Sequence, residues 1–357
     1  MHRKALHCGY TTGTCAAAAA RGALLYLQSK NTTSLSITLP CGEHAVLKPV
    51  QSGFTETGAF CEIKKEGGDD PDVTRGIIIR ADVRLLKRKG ISLRGGRGVG
   101  RVMLPGLPVK PGMPAINPVP RRMIHDALRE LVPADSGVEV TISVPDGEKI
   151  AKKTLNPRLG IVGGISILGT TGLVIPYSRE AFCDSIRWAL NVAAATGARA
   201  VVLSTGRSSE KAARAYFPEL PDTSFILMGD HVGFAVQEAV RRGIEKVIVA
   251  CYPAKLLKIA TGYPCTHVHT SAIDVNLLAM IAKQLGLAGH VVGSIKKSKS
   301  VRHAIESLSQ KSVLRVCSKL AALASEHLQY LSGESLRVGV LVIGYQDTVL
   351  LNAGSMP

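Results

Sequence analysis

Between Arg179 and Ala260 the sequence repeats one pattern three times: a short apolar run, a few small or polar residues, and a helix-forming stretch. The helix-forming stretch 179–195 leads through Gly197 to the apolar run 200–203, followed by Ser204-Thr205-Gly206-Arg207-Ser208 and a helix from Glu210. The second unit is 225–227, then Met228-Gly229-Asp230-His231 and a helix over 232–242. The third is 246–250, then Cys251-Tyr252-Pro253 and a helix over 254–260. Strands joined through helices run parallel with right-handed crossovers, so this half is expected to be a Rossmann-like α/β domain, a parallel sheet with flanking helices. The apolar run 338–343, ending in Gly344-Tyr345, adds a further strand.

The first half lacks that rhythm and reads as a mixed α+β domain built around hairpins. Thr11, Thr12 and Thr14 offer capping oxygens ahead of an Ala- and Leu-rich stretch, so a helix is expected from about Thr14 to Leu27. Short β-rich runs follow at 35–39, 59–64 and 76–83. Pro145-Asp146-Gly147 between 138–144 and 149–155 predicts a hairpin. The Gly- and Pro-rich segment 95–120 is long and irregular, which inside a domain marks function or mobility. Asn117-Pro118-Val119-Pro120 then opens an amphipathic helix over 121–131. A chain of 357 residues suits two domains, expected as 1–180 and 181–357.

Charge narrows the partners. The formal net charge is +17, of which +11 falls in residues 1–200. From Arg84 to Arg101 seven cations stand with no acid between them, and the simplest reading of 84–89 is a solvated face. No Tyr, Phe or Trp interleaves them, so base stacking and nucleic-acid binding are disfavoured. The uncharged window 159–178 holds five Gly and a Pro, which suits buried strand and turn rather than a membrane span. No export signal is read, and eight Cys without a CxxC pair read as reduced cytoplasmic thiols.

In open parallel sheets ligands bind beyond the carboxyl ends of the strands, here the loops Ser204–Ser208 and Gly229–Gly233. Glycine permits close approach, helix N-termini suit anions, and Asp230 is placed to accept ribose hydroxyls. No GxGxxG motif follows the first strand, so a nicotinamide site is disfavoured. These glycines equally serve a bare tight turn. Cys265, His267 and His269 lack the spacing of a metal site, and Ser208 lacks a nucleophile elbow. Neither a metal nor acyl transfer is expected.

Longer motifs carry a resemblance. Gly9-Tyr10-Thr11-Thr12-Gly13-Thr14-Cys15 with its Ala run, Gly68-Asp69-Asp70-Pro71-Asp72-Val73-Thr74 after Ile63-Lys64-Lys65, and Gly96-Arg97-Gly98-Val99-Gly100 come first. Ala115-Ile116-Asn117-Pro118-Val119-Pro120-Arg121, Gly164-Ile165-Ser166-Ile167-Leu168-Gly169-Thr170-Thr171-Gly172, Ser204-Thr205-Gly206-Arg207 and Gly229-Asp230-His231-Val232-Gly233 follow in order. Together they resemble the cobalt-precorrin-5B C1-methyltransferase family of anaerobic cobalamin biosynthesis. The resemblance implies an enzyme that moves a methyl group from S-adenosyl-L-methionine to a cobalt-tetrapyrrole, the cobalt being part of the substrate.

A polycarboxylate tetrapyrrole accounts for a basic chain without a nucleic-acid motif. Its carboxylates are expected on Lys64, Lys65, Arg97, Arg101 and Arg121, because Arg presents a planar fork and Lys a point charge. Thr11, Thr12, Asn117 and His267 complete the expected substrate set. Ser204, Thr205, Gly206, Arg207, Gly229, Asp230 and Gly233 are expected to hold the methyl donor. For a base, Asp69, Asp70 and Asp72 form a cluster whose repulsion is expected to raise one pKa, and His231 competes with them. The alternative for the cluster is an acidic turn. The chain departs from the family pattern at Cys251-Tyr252-Pro253-Ala254-Lys255, where Gly-His-x-Gly-Lys is usual, and at 268–271. A non-catalytic tetrapyrrole carrier and a methyltransferase of another tetrapyrrole are the competing readings, and a homo-oligomer stays open.

Overall fold

The computed structural model describes residues 6–133, 135–267 and 275–357. The chain divides into two compact units, Met1–Ser178 and Arg179–Pro357. In the first, β1 (Gly9–Tyr10) leads into α1 (Thr12–Leu27). Then come β2 (Leu35–Thr38), β3 (His44–Leu47), β4 (Pro49–Phe54), β5 (Ala59–Lys64), β6 (Ile78–Leu86) and β7 (Gly90–Gly95). The short strands β8 (Gly98–Val99) and β9 (Arg101–Val102) precede α2 (Pro118–Arg129), β10 (Gly137–Ser143) and α3 (Gly147–Ala151). β11 (Ile161–Val162), β12 (Gly164–Ile165) and β13 (Leu173–Val174) close the unit. Five strands make one mixed sheet, ordered β4-β5-β6-β10-β7, with β10 antiparallel to β6 and parallel to β7.

Cys15 to Ala20 are all buried, and α1 shares a core with Cys61, Ile63, Ile79 and Ala81 of the sheet. Alanine favours the helix and adds no bulk, so the helix can lie close to the strands. α1 begins at Thr12, two residues before the expected start, because Thr11 is the cap: its hydroxyl accepts the Thr14 N–H at 3.2 Å. The other first-turn groups are taken by the chain at 168–172. Leu168 O accepts the Gly13 N–H at 3.0 Å, Gly172 O accepts the Thr11 N–H at 3.0 Å, and the Thr14 hydroxyl donates to Gly172 O at 2.7 Å.

One expectation for this unit is corrected and a second is refined. The hairpin across Pro145-Asp146-Gly147 does not form, because β6 and β7 occupy both edges of β10 and leave none for a returning strand. The chain instead turns, with Gly147 N–H bonded to Val144 O at 2.8 Å, into α3. The second concerns detail only: Arg84, Lys87, Arg88 and Lys89 are exposed as a solvated face would be, but the stretch 84–101 also has structural partners. It supplies the end of β6 and β7, and Glu139 on β10 between them accepts from Arg84 at 2.7 Å and pairs with Arg94 at 2.8 Å. The acid missing from the segment arrives across the ladder.

In the second unit α4 (Arg179–Ala195) precedes β14 (Ala200–Ser204), α5 (Arg207–Tyr216), β15 (Phe225–Leu227), α6 (Val232–Arg241), β16 (Lys246–Cys251) and α7 (Pro253–Ala260). Helices α8 (Val275–Gln284), α9 (Gly289–Lys297), α10 (Val301–Glu306) and α11 (Gln310–Leu331) follow, then β17 (Arg337–Ile343) and β18 (Val349–Gly354). The sheet order is β15-β14-β16-β17-β18. The first four strands are parallel and β18 is antiparallel. α5 begins at Arg207, three residues ahead of the expected start. The four helices α8 to α11 and the antiparallel edge were not read in the sequence.

Alternate strand residues feed two cores. Val201, Leu203, Val247, Val249 and Val340 pack with α4, α6, α7, α8 and α11, while Val202, Ile248, Ala250 and Leu341 pack with Ala212, Ala213 and Phe217 on the α5 side. Strands buried on both faces read as continuous apolar runs, which made this sheet legible. Among the described residues no helix is long and apolar enough to cross a membrane.

Gly98 shows how tightly the first unit is wound. Its φ is +72°, and a Cβ there would stand 1.9 Å from Val144 O. Gly98→Ala is expected to destabilise the protein by about 2–4 kcal/mol, from left-handed strain and overpacking together. Gly112→Ala, at φ +85° with nothing within 4 Å, should cost only about 1 kcal/mol. Urea denaturation midpoints of the two variants check this.

Candidate functional site

In the second unit the chain leaves neighbouring strands toward opposite faces of the sheet: from β14 to α5 on one side, from β16 to α7 on the other. This reversal places the loops at Ser204–Arg207 and Cys251–Pro253 where ligands usually bind in an open α/β sheet. Thr205 N–H continues the β14–β16 ladder to Ala250 O at 3.2 Å. The Ser209 hydroxyl accepts the Gly206 N–H at 3.1 Å and closes the turn, while a side chain at Gly206 would meet open space. Arg207 and Ser208 at the start of α5 are exposed.

Two buried polar atoms at this end of the sheet have no hydrogen-bond partner among the described residues: Ser204 Oγ and His231 Nδ1. Folded proteins leave few such groups. Ser204 is fully buried and, by alternation with Val202, lies on the α5 face. Tyr252 stacks on Tyr345 with ring centroids 5.6 Å apart, its hydroxyl donating to Asp347.

Asp230, expected to receive ribose hydroxyls, is committed elsewhere. Its Oδ1 accepts from Lys255 Nζ and, at 2.6 Å, from the Thr266 hydroxyl. Lys255 and Lys258 both donate to Thr266 O, at 3.1 and 3.0 Å. Burial alone would raise the Asp230 pKa, but these partners outweigh it and hold the carboxyl below its ordinary range. The aspartate thus ties the 264–266 segment to α7. Gly229 has φ +57°, and a Cβ there would come within 2.9 Å of Phe182. Gly233 lies against Pro264, which accepts its N–H at 2.9 Å. The His231 ring packs against Phe182 at 5.4 Å. Burial first, then the Arg179 charge, lower its pKa, so it is neutral at neutral pH. His267 is exposed at the end of this segment, and His269 with the departure at 268–271 lies outside the described residues.

The residues expected to hold the tetrapyrrole separate into two groups in the first unit. Thr11 and Thr12 are buried and occupied: Thr12 Oγ1 accepts the Leu168 N–H at 2.8 Å, and Thr11 caps α1. Lys65 is 2% exposed, with Nζ 3.2 Å from Asp72 Oδ2. These three side chains serve the fold and are not open to substrate. Lys64, Arg97 and Arg101 are exposed. Arg101 donates to Gly112 O, and half-buried Arg121 donates to Ile116 O at 2.7 Å. Asn117 caps α2 without a side-chain capping bond.

A hollow of about 360 Å³ at Arg121 is lined by Pro108, Val109, Lys110, Met113, Pro118 and Arg121. Val162 sits in register with Arg101, and both Val162 and Met113 are exposed. This apolar ground between cations was not read in the sequence. Short strands and a Pro-rich loop carry no periodicity that would reveal it.

The carboxylate cluster does not behave as expected. Asp69 accepts the His7 N–H at 2.8 Å, and its pKa is lowered by that bond and by the His7 ring. Asp70 accepts the Tyr177 N–H at 3.1 Å. For Asp72 burial works upward, but the Thr74 hydroxyl and amide and Lys65 bring the net shift down. Each carboxyl is turned toward its own donor, and the shifts of Asp69 and Asp72 run downward rather than up. A group with a depressed folded pKa adds stability above its unfolded value near pH 4, and that stability is lost as pH falls through the folded value. Asp72→Asn is therefore expected to lower the denaturation midpoint at pH 7 by leaving Lys65 buried without a counter-charge. The gap to wild type should close toward pH 2, as thermal unfolding across pH 2–7 will show.

The model of the family described as CbiD matches residues 1–176, and that of the CbiD C-terminal domain matches residues 265–354. The Cobalt-precorrin-5B C(1)-methyltransferase of Geobacter sulfurreducens is 44% identical over 364 aligned residues, covering 98% of this chain and 99% of that protein. The one from Geobacillus thermodenitrificans is 46% identical over 298 residues, covering 82% and 80%. A crystal structure of a cobalamin biosynthesis protein (cbiD) from Archaeoglobus fulgidus is 34% identical, covers 71% of this chain and 79% of that one, and superposes with a TM-score of 0.39. By these matches the chain belongs to the CbiD family.

Proposed function

We propose that this chain transfers a methyl group from S-adenosyl-L-methionine to C1 of cobalt-precorrin-5B, giving cobalt-precorrin-6A. The observation that carries this reading is the near full-length identity of 44% to the Geobacter sulfurreducens enzyme of that name. The loop at Ser204–Arg207 supports the assignment of the donor. It has an open Gly206, first-turn amides of α5, the exposed Arg207 and an orphaned Ser204 hydroxyl, a set that suits a carboxylate flanked by polar groups. When bound, the sulfonium supplies an electrophilic methyl group for direct displacement.

Ser204, Thr205, Gly206 and Arg207 hold the donor's carboxylate end, while Gly229 and Gly233 let the second loop lie close without side chains in the way. Asp230 acts as a tie that fixes this loop to Lys255 and Thr266. Arg97, Arg101 and Lys64 bind the acetate and propionate groups of the tetrapyrrole. Met113, Val162 and the hollow beside Arg121 receive its apolar parts. Fixing nucleophilic carbon and methyl group in line supplies on the order of 7–11 kcal/mol in well-oriented systems. His231, neutral and with Nδ1 unpartnered, is the better proton acceptor after transfer, because Asp69 and Asp72 are held as weak bases. The eight cysteines are free, which suits a reducing cytoplasm.

Mass spectrometry of tetrapyrrole incubated with the chain and S-adenosylmethionine tests the activity: one added methyl group is expected, and none overturns the reading. In calorimetric titration with S-adenosylhomocysteine, Ser204→Ala and Gly206→Val should weaken binding at least ten-fold. Arg97→Glu with Arg101→Glu should leave that affinity unchanged and raise the KM for the tetrapyrrole. His231→Gln should lower kcat by about 10²-fold. In the wild type kcat should stay flat at neutral pH and fall only below about pH 6.5, because the base must be unprotonated and its pKa lies under that of free histidine.

A further inference from the structure

The larger hollow of the first unit, about 720 Å³, has no part in the methyl-transfer reading. It runs between β2 and α2, with Ser36, Ile37, Thr38 and Leu39 on one side and Arg122, Met123, Asp126 and Arg129 on the other. Arg21 of α1 lies at its floor. Its size is that of a ligand site.

Strand β2 pairs only with β3, so its other edge is open. The Leu39 N–H bonds to Glu43 O at 2.8 Å, which makes 39 and 43 a hydrogen-bonded pair. Antiparallel pairs alternate, so Ile37–Ala45 and Leu35–Leu47 are bonded, and the backbone N–H and C=O of Ser36 and Thr38 point away from β3. The side chains of Leu35, Ile37 and Leu39 are buried in the core below, which fixes the face of the hairpin and therefore this register. Natural edges are commonly blunted by Lys, Pro or a bulge within the strand; Leu35–Thr38 has none.

The side chains around the edge set the charge of an occupant. Arg21 donates to Ala127 O at 2.9 Å, and neither it nor Arg122 nor Arg129 pairs with a carboxylate among the described residues. Three guanidiniums and His44 face two carboxylates, Asp126 and Glu130. An outward donor and acceptor repeated every second residue matches an extended backbone. We propose that the groove between β2 and α2 takes an extended acidic segment of a partner protein, which adds a third strand to the β2–β3 hairpin and sets its carboxylates against Arg122 and Arg129.

The test uses the full chain and fluorescence anisotropy with a labelled decapeptide of alternating Val and Glu, and one of alternating Val and Lys. The Val-Glu peptide should bind at least ten-fold tighter. Thr38→Pro removes an N–H that β3 does not use, so the hairpin, the thermal midpoint and affinity for S-adenosylhomocysteine should persist while peptide affinity falls at least ten-fold. The charge of the chain is unchanged in that variant, which separates strand addition from attraction to a basic surface. Arg122→Glu with Arg129→Glu should reverse the preference between the peptides. Equal binding by wild type and Thr38→Pro, or no binding of the Val-Glu peptide, overturns the proposal. So does a dimer in sedimentation that Thr38→Pro dissociates, since the occupant would then be a second copy of this chain. None of these outcomes bears on methyl transfer, so the two readings fail separately.

Discussion

Thr12 and Leu168 stand 156 positions apart in sequence, yet the hydroxyl of one takes the amide of the other, and Thr11, Gly13 and Thr14 bond to the same returning segment. Helix α1 carries neither an acid in its first turn nor a polar face of its own; its N-terminal half is buried throughout. An end buried in this way needs partners for its orphan N–H groups, and the loop at 168–172 supplies them. The sheet packs against a helix whose first turn is tied to the far end of the unit's sequence. The same knot draws in Pro120, which lies against Gly13, and Ile116, bridged to Ile167. Several motifs that carry the family resemblance therefore meet in one place for a mechanical reason. They let backbones approach where a side chain would not fit.

That convergence explains what the sequence could and could not reveal. The crossover part of the second unit was legible because β14, β16 and β17 are apolar runs buried on both faces; 179–195 and 225–227 stand as read. The first unit obeys pairings at long range. Pro145-Asp146-Gly147 has the chemistry of a hairpin turn, but β10 was already flanked on both edges, so local preference yielded to the sheet. The helices α8 to α11 went unread for another reason. They follow the third crossover and carry no loop motif that the strand-loop-helix rhythm would have flagged.

Site residues follow a similar division. Lysine, aspartate and threonine are read from sequence as groups that meet ligands, and a chain cannot announce which of them meet each other. Lys65 and Asp72 are seven residues apart and satisfy one another; Asp230 satisfies Lys255 and Thr266. Glycine signals were more dependable in location than in meaning. Gly206 opens onto free space, whereas Gly229 and Gly233 are pressed by Phe182 and Pro264. Both patterns look alike in one dimension.

The charge surplus completes this argument. Acidic residues in the chain do not each cancel one cation. Glu139 gathers Arg84 and Arg94, and Glu238 gathers Arg187, Arg241 and Arg242. Each such acid is nearly buried and holds more positive charge than it neutralises. Such clusters fix side chains that would otherwise spread, and a like-charged field of this kind works against compactness unless an anion answers it. Arg97, Arg101 and Arg207 stand exposed and outside every carboxylate pair among the described residues. The fold thus gathers several arginines on each buried acid, while Arg97, Arg101 and Arg207 face outward with no acid paired to them among the described residues.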